Sequence, residues 1–365
     1  MKIECSAEKL KNGLMLAERI TGKNLSLPVL NSVLIDGSRK SLKIRATNLS
    51  LGIEIEIPGK ITVPGIVAVR GNVITSVFSN ITTSSQVVLE TANDNLVVET
   101  KKDKLVLKSQ PTDDFPTLPS VSGVEFSLPA HSFIEGLKSV YYSAAVSDIK
   151  QEIATVYIYP DGEYLVFVST DSFRLAEKKI KIKKITEFEG FLIPFKNINE
   201  IIRTFSGLDE DIRIIISKNQ VSFFTQYIYL TSRVIDGVFP DYKQILPKEF
   251  KSTLVVLRED LLAALKMATV FSDSFNQITL SLMPKEKKVE IYAKSADIGE
   301  NRTALDAAVN GESVEVNINL RYLLDCFQSI TSDSVTISLN ESTRPIVVSG
   351  VSDTSFLYLI MPMNR

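Results

Sequence analysis

Histidine is almost absent from this sequence. His131 is the one histidine in 365 residues. It follows Leu128-Pro129-Ala130 at the expected start of a helix, where a capping or surface role is its ordinary use. A Ser-His-Asp triad therefore has no second candidate base to draw on. Cysteine is nearly as scarce. Cys5 and Cys326 stand far apart with no histidine beside either, so a disulfide framework and a metal site are both unsupported. Free thiols in a reducing compartment are the expected state. No HExxH, CxxC or EF-hand pattern occurs, and no cofactor is expected. Gly22-Lys23 is no phosphate loop, because no glycine lies five residues before Gly22 and Asn24 stands where Ser or Thr is needed. No apolar run approaches the ~20 residues of a membrane-spanning helix. The start, MKIECSAEKLKNG, has no basic head followed by a long apolar stretch, so no secretory leader is expected and the expected location is the cytoplasm. Net charge is missing too. A formal charge of −2 excludes a protein that coats nucleic acid by bulk positive charge, and leaves room for one that meets it on a single face.

What is present is a pattern that runs three times. Each pass opens with a short strand and an amphipathic helix. The helical stripes are Leu10, Leu14, Ala17 and Ile20, then Phe133, Leu137, Tyr141 and Ala144, then Leu261, Leu265, Ala268 and Phe271. Alternating strands follow in NSVLIDGSRKSLKIRATN, ATVYIYPDGEYLVFVSTD and QITLSLMPKEKKVEIYAKSAD, with Asp36-Gly37 and Asp161-Gly162 marking hairpin turns. A second helix comes next in RGNVITSVFSN, FKNINEIIRTFS and NLRYLLDCFQSI, and further alternating strands close each pass. The repeat is roughly 120 residues long, a common domain size. FPTLPS (115–120) and FPDYKQILPKEF (239–250) read as linkers, so the expected domains are 1–122, 123–250 and 251–365. The expected fold is α+β, with antiparallel sheets and two helices in each of three like domains. Such repetition favours an extended or curved assembly over a single catalytic cleft.

Three stretches resist the repeat reading. KKIKIKK (178–184) is the densest charge run, and on a strand Lys179, Lys181 and Lys183 share one face. A solvated strand whose lysines discourage edge pairing is the ordinary account, with phosphate contact as the alternative. VSTDSFRLAEKK breaks a strand at Thr170-Asp171-Ser172 and resumes it at Arg174-Leu175-Ala176. The last stretch, SFLYLIMPMNR, carries five apolar residues in a row and a proline between two methionines, where a frayed polar end is usual.

STDSFRLAEKK (169–179), GVFPDYKQILP (237–247) and YLIMPMNR resemble, in order, segments of the bacterial DNA polymerase III beta subunit family, the sliding clamps. NLSLPVLNSVLI (24–35) and NINLRYLLDCF (317–327) are similar to further segments of it, so the resemblance spans the chain at the family's length and threefold repeat. It implies a head-to-tail homodimer closing a six-domain ring around duplex DNA, with helices lining the hole and sheets outside. Such a ring performs no chemistry. It tethers the replicative polymerase, the clamp loader, and other polymerases and repair proteins through short apolar peptide motifs. Contacts to DNA should be weak, spread out and blind to sequence, because the ring must slide.

The resemblance also implies site residues. The peptide groove falls on Thr170, Asp171, Ser172, Phe173, Arg174 and Leu175, with Pro240, Gln244 and Ile245 from the FPDY segment. Ile153, Asn319, Tyr322, Thr343 and Pro345 take the remaining pocket positions, and Met361, Pro362 and Met363 close it. Methionine is flexible and polarizable, which suits a groove taking several ligands, and proline leaves an open strand edge. Three departures bear on ligand preference: Ser172 replaces the usual glycine, Phe173 the usual histidine, and Gln244 stands where a basic residue is common. QEIATV also lacks the usual Arg-Pro pair, leaving Lys150 as the nearest basic residue. The expected DNA contacts are Lys23, Lys138, Lys150, Lys196 and Arg203, with Glu135 and Glu200 on the same helices. At the dimer interface, DKLVLKS would bring Leu105 and Leu107 against Val270 and Phe271, with Asp297 and Glu300 left of the family's acidic run. An enzyme using Asp171 and Arg174 would need a further base that the sequence does not supply. A non-catalytic structural repeat or scaffold protein without a DNA role is the alternative.

Overall fold

The stripe expected on the first helix is a buried face. Leu10, Leu14, Ala17 and Ile20 are all 0 % exposed on α1 (Ala7–Ile20). Ser6 caps the helix by accepting from the Lys9 N–H at 3.4 Å. Each buried leucine or isoleucine contributes roughly 1.5–3 kcal/mol through the area it removes from water. The same logic forms α3 (Ala130–Val140) and α5 (Arg258–Val270), and α2 (Gly71–Asn80), α4 (Phe195–Phe205) and α6 (Leu320–Asp325) complete three pairs among the described residues. Two expected helices end early. Tyr141–Ser143 tightens into a 3-10 turn after Val140, and Cys326–Gln328 does so after Asp325.

This computed structural model describes residues 1–22, 27–38, 40–81, 86–147, 149–182 and 187–363. Lys23, Lys183 and the start of the NLSLPVLNSVLI motif lie outside them, as do Asn364 and Arg365. By its contacts the chain forms two units: residues 1–131 with 196–236, and residues 132–195 with 237–365.

In the first unit, 13 strands form one antiparallel sheet, running from Val124–Pro129 at one end to Gly59–Val63 at the other. Within it Ile228–Arg233 pairs with Leu51–Ile57, and Leu230 stands opposite Ile53. Above that seam Asn197, 3 % exposed on α4, donates to the Ser50 hydroxyl at 3.1 Å and the Ser232 hydroxyl at 2.9 Å. A buried amide is thus satisfied by both strands of the seam.

The second unit holds a nine-stranded and a four-stranded antiparallel sheet. In the larger, Arg174–Lys181 lies between Tyr164–Thr170 and Phe356–Ile360, with Arg174 opposite Ile360 and Lys178 opposite Phe356. The final apolar run is therefore an interior strand: Phe356, Tyr358, Leu359 and Ile360 are each at most 2 % exposed. Gly136 brings α3 close to this sheet, since a Cβ there would stand 2.4 Å from the Phe167 ring. Gly162, at φ +61°, makes the two-residue turn that sets Asp161 opposite Tyr164.

The expectation that the lysine run guards a sheet edge is corrected here. Arg174–Lys181 has partners on both sides along Arg174–Lys178. Lys178 is 8 % exposed and ion-paired to Glu135 of α3 at 2.9 Å. Lys179 pairs with Glu177 and Lys181 with Glu163, so each described lysine of the run has an acidic partner.

The second linker is packed rather than loose. Phe239 stacks on Tyr157 with ring centroids 5.0 Å apart, and the Tyr242 hydroxyl donates to buried Glu177 while lying 2.7 Å from the Tyr159 hydroxyl. Burial, reinforced by the Glu177 carboxylate, raises the Tyr242 pKa well above the ordinary tyrosine value, which keeps it a donor. Replacing Tyr242 with Phe should cost about 1–3 kcal/mol, because a buried carboxylate loses a donor. The check is the midpoint of urea unfolding against wild type, and an unchanged midpoint would remove this anchor from the fold.

Candidate functional site

The break in the strand at Thr170-Asp171-Ser172 is a tight, self-bonded turn. The Asp171 carboxylate accepts from the Phe173 N–H at 2.9 Å and the Arg174 N–H at 3.0 Å. The Thr170 hydroxyl donates to the Arg174 carbonyl at 2.6 Å and accepts from the Ser172 N–H at 3.1 Å. Closing the turn forces Ser172 to φ +80°, a left-handed conformation that suits glycine. The family's usual glycine thus has a physical reason here, and this chain carries the strain instead.

The turn aims Phe173 outward and Arg174 inward. Phe173 is 61 % exposed, whereas the Arg174 side chain is only 12 % exposed. Its guanidinium donates to Asp171 through Nε at 2.9 Å and to Asp325 through Nη1, and it lies 4.5 Å from the centroid of the Tyr322 ring. Burial opposes the charge of Arg174, but Tyr358, Asp325 and Asp171 more than offset it, so its pKa is raised.

The terminal residues close one side of this wall. The Met361 N–H donates to the Phe173 carbonyl and the Met363 N–H to the Asn317 carbonyl, both at 2.8 Å. Pro362 between them has no N–H to place. Asn319 caps α6, accepting from the N–H groups of Arg321 and Tyr322, and donates to the Phe275 carbonyl at 3.3 Å. At the other end of α6, Arg258 donates to the carbonyls of Phe327 and Ile330, each at 3.0 Å. Helix α6 is short but held at both ends, and that fixes Tyr322.

The Thr170–Arg174 turn is thereby bonded to Met361 and packed on the Tyr322 ring, Tyr322 is bonded to Asn319, and Met363 is bonded to Asn317, two residues before Asn319. Pro345 precedes Ile346, which pairs with Ile360, and Thr343 is exposed just before it. Pro240 is exposed beside the Tyr242 anchor; Gln244 bonds Asp241 at 2.7 Å and Ile245 is 48 % exposed. Ile153 is buried, and its carbonyl accepts from the Ala145 N–H at 3.0 Å. Leu175 turns into the core at 1 % exposure, because strand alternation sends it opposite to Arg174. Asp325, Tyr358 and exposed Phe275 were missed by sequence reading. Nothing local in the sequence marked any of the three.

Elsewhere, Lys138, Lys150, Lys196 and Arg203 are exposed. Arg203 is bonded to Glu200 at 2.7 Å. On the strand Lys104–Gln110, Leu107 is buried and Leu105 half-buried on one face, with Val106 62 % exposed on the other. Val270 is 56 % exposed and Phe271 half-buried at the end of α5. His131 is exposed in the first turn of α3. Burial, with Glu4 nearby, pushes the Cys5 thiol up to about 12, and burial raises Cys326 as well, so both are free but unreactive. Among the described residues no His, Cys, Asp and Glu cluster could hold a metal ion, and no helix is long and apolar enough to cross a membrane.

Two helices with antiparallel sheets, three times over, are the clamp type of α+β fold. The DNA polymerase III beta subunit of Pseudomonas aeruginosa matches it with a TM-score of 0.95 at 23 % identity, over 100 % of both chains. That of Thermotoga maritima matches with a TM-score of 0.94 at 24 % identity, over 100 % of this chain and 99 % of its own. Family models for the N-terminal, central and C-terminal domains of the DNA polymerase III beta subunit match residues 1–119, 127–241 and 243–364. A beta sliding clamp of Synechococcus elongatus is 30 % identical across 100 % of this chain and 99 % of its own length. The Escherichia coli beta sliding clamp is 25 % identical over 100 % of both. The chain belongs to the DNA polymerase III beta subunit family, the sliding clamps.

The strained turn gives a direct test. Ser172→Gly should stabilise the protein by roughly 1 kcal/mol, the scale of a left-handed residue relieved of its Cβ. A rise of a few degrees in the thermal midpoint would show it, and a fall would mean that the serine side chain contributes a contact of its own.

Proposed function

We propose that this sliding clamp is a non-catalytic processivity factor of the cytoplasm, with domains 1–122, 123–250 and 251–365. Two copies join head to tail into a ring around duplex DNA, helices inward. The ring tethers the replicative polymerase subunit, the clamp loader, and other polymerases and repair proteins by their short apolar motifs. The observation that carries the tethering is the bonding of the terminal methionines to both Phe173 and Asn317, which joins three distant segments into one wall. Ring closure draws support from two open edges. Lys104–Gln110 pairs with Asn95–Glu99 from Lys104 to Lys108 but with Ile66–Arg70 only at Ser109 and Gln110, and Gly299–Asp306 ends the four-stranded sheet. Open edges of this kind invite a partner strand. Leu105 and Leu107 of one copy would meet Val270 and Phe271 of the other, with Asp297 and Glu300 nearby.

Duplex DNA would be met by Lys138 and Lys150 in one unit and by Lys196 and Arg203 in the other, with Lys23 a further candidate outside the described residues. The bond from Arg203 to Glu200 must be shared with any phosphate, which keeps each contact weak. Weak contacts are what sliding needs.

Encirclement is tested on DNA topology. Loaded by a clamp loader onto nicked circular DNA, the protein should stay on through gel filtration and be lost once the DNA is linearised. Val270→Asp, at a position exposed in the single chain, should give half the wild-type mass by light scattering and no retention. Equal retention on linear and circular DNA would overturn the ring.

The groove is tested with a labelled peptide carrying Gln, then Leu and a bulky apolar residue. Two buried apolar side chains and one amide hydrogen bond, less the ordering of the peptide, put Kd on the order of micromolar. Deleting residues 361–365 should abolish binding in fluorescence anisotropy while leaving the dimer mass intact. Met363→Ala should only weaken it. Unchanged affinity in the truncation would sink the groove.

A further inference from the structure

Tyr322 is gripped at both its ring and its backbone. The ring lies under the Arg174 guanidinium, 4.5 Å from centroid to Cζ. The Tyr322 carbonyl accepts from the Tyr358 hydroxyl at 2.9 Å.

Arg174 is itself pinned from opposite directions in sequence. Asp171 belongs to the same turn, three residues away, and holds Nε. Asp325 is the last residue of α6, the helix that carries Tyr322, and holds Nη1. With Asp171 alone the guanidinium is tied to its own turn and free to pivot about Nε. The Asp325 bond removes that freedom and fixes the planar fork in relation to α6.

We propose that Asp325 and Tyr358 are positioning residues for the client-peptide groove, Asp325 acting through Arg174 and Tyr358 through the Tyr322 carbonyl. This rests on the groove reading above. The Asp325 side chain is 42 % exposed, so its ion pair adds little to folding stability. Its contribution is orientation: an aromatic wall held in one setting spares the peptide the ordering of that side chain. Tyr358, 0 % exposed, cannot touch a ligand and acts only by what it bonds.

The test is a double-mutant cycle on the affinity of the same labelled peptide, using the full chain. Asp325→Ala should weaken binding roughly fivefold to tenfold, the scale of one coupling between contacting groups. The thermal midpoint and the dimer mass should stay at wild-type values. Tyr358→Phe should weaken binding in the same direction. In a Tyr322→Ala background, Asp325→Ala should change the affinity no further, because the wall it orients is gone. Wild-type affinity in Asp325→Ala overturns the proposal, and so does an undiminished loss in the Tyr322→Ala background. The truncation of residues 361–365 separates the two readings. If it abolishes binding while Asp325→Ala is silent, the groove stands and the positioning role falls. If it binds as wild type does, the groove falls and the positioning role with it.

Discussion

The pairing of Arg174–Lys181 with Phe356–Ile360 is the interaction on which the second unit depends. It places a strand from the middle of the sequence beside one from its end, residue 174 opposite residue 360. The nine-stranded sheet is continuous only through that seam. The candidate groove stands at one end of it, since Arg174, Met361 and Phe173 are all within one residue of the paired segment. The first unit has a matching seam between Ile228–Arg233 and Leu51–Ile57, with the buried Asn197 amide bonded at its end.

The seam strand carries an unusual load of ionisable groups for an interior element. Arg174, Glu177 and Lys178 all have side chains that are 12 % exposed or less. Buried charges are costly unless paired and hydrogen-bonded, and each of these is met from a different part of the unit. Asp171 and Asp325 meet Arg174, Tyr242 meets Glu177, and Glu135 with Ser355 meets Lys178. Two helices, a linker and two loops are thus indexed to one strand, so the position of α6 and of the FPDY segment is set by chemistry as well as by packing.

Much of this was legible in the sequence. The helical faces followed from apolar spacing, and Leu10, Leu14, Leu261 and Leu265 are all buried as that spacing required. The turn at Thr170-Asp171-Ser172 was visible as polar residues interrupting a strand, and the family resemblance tied it to Tyr322 and the terminal methionines. The lysine run was misread because its meaning depends on partners distant in sequence: Glu135 is 43 residues from Lys178. Asp325 and Tyr358 were hidden for the same reason. Each is ordinary in its local stretch and becomes informative only when Arg174 is brought to it. The burial of Leu175 was a matter of parity, legible from alternation once Arg174 is known to face the wall.

The seam between Arg174–Lys181 and Phe356–Ile360 also bears on how the chain folds. Its pairing closes a loop of well over a hundred residues, a contact order that slows folding in general. Until that closure, Arg174–Lys181 is an edge, with its N–H and C=O groups open to any passing strand. The lysines at 178, 179 and 181 then stand on an unprotected border and repel a second copy. What the native sheet uses as ion pairs serves the unfinished one as a guard against aggregation.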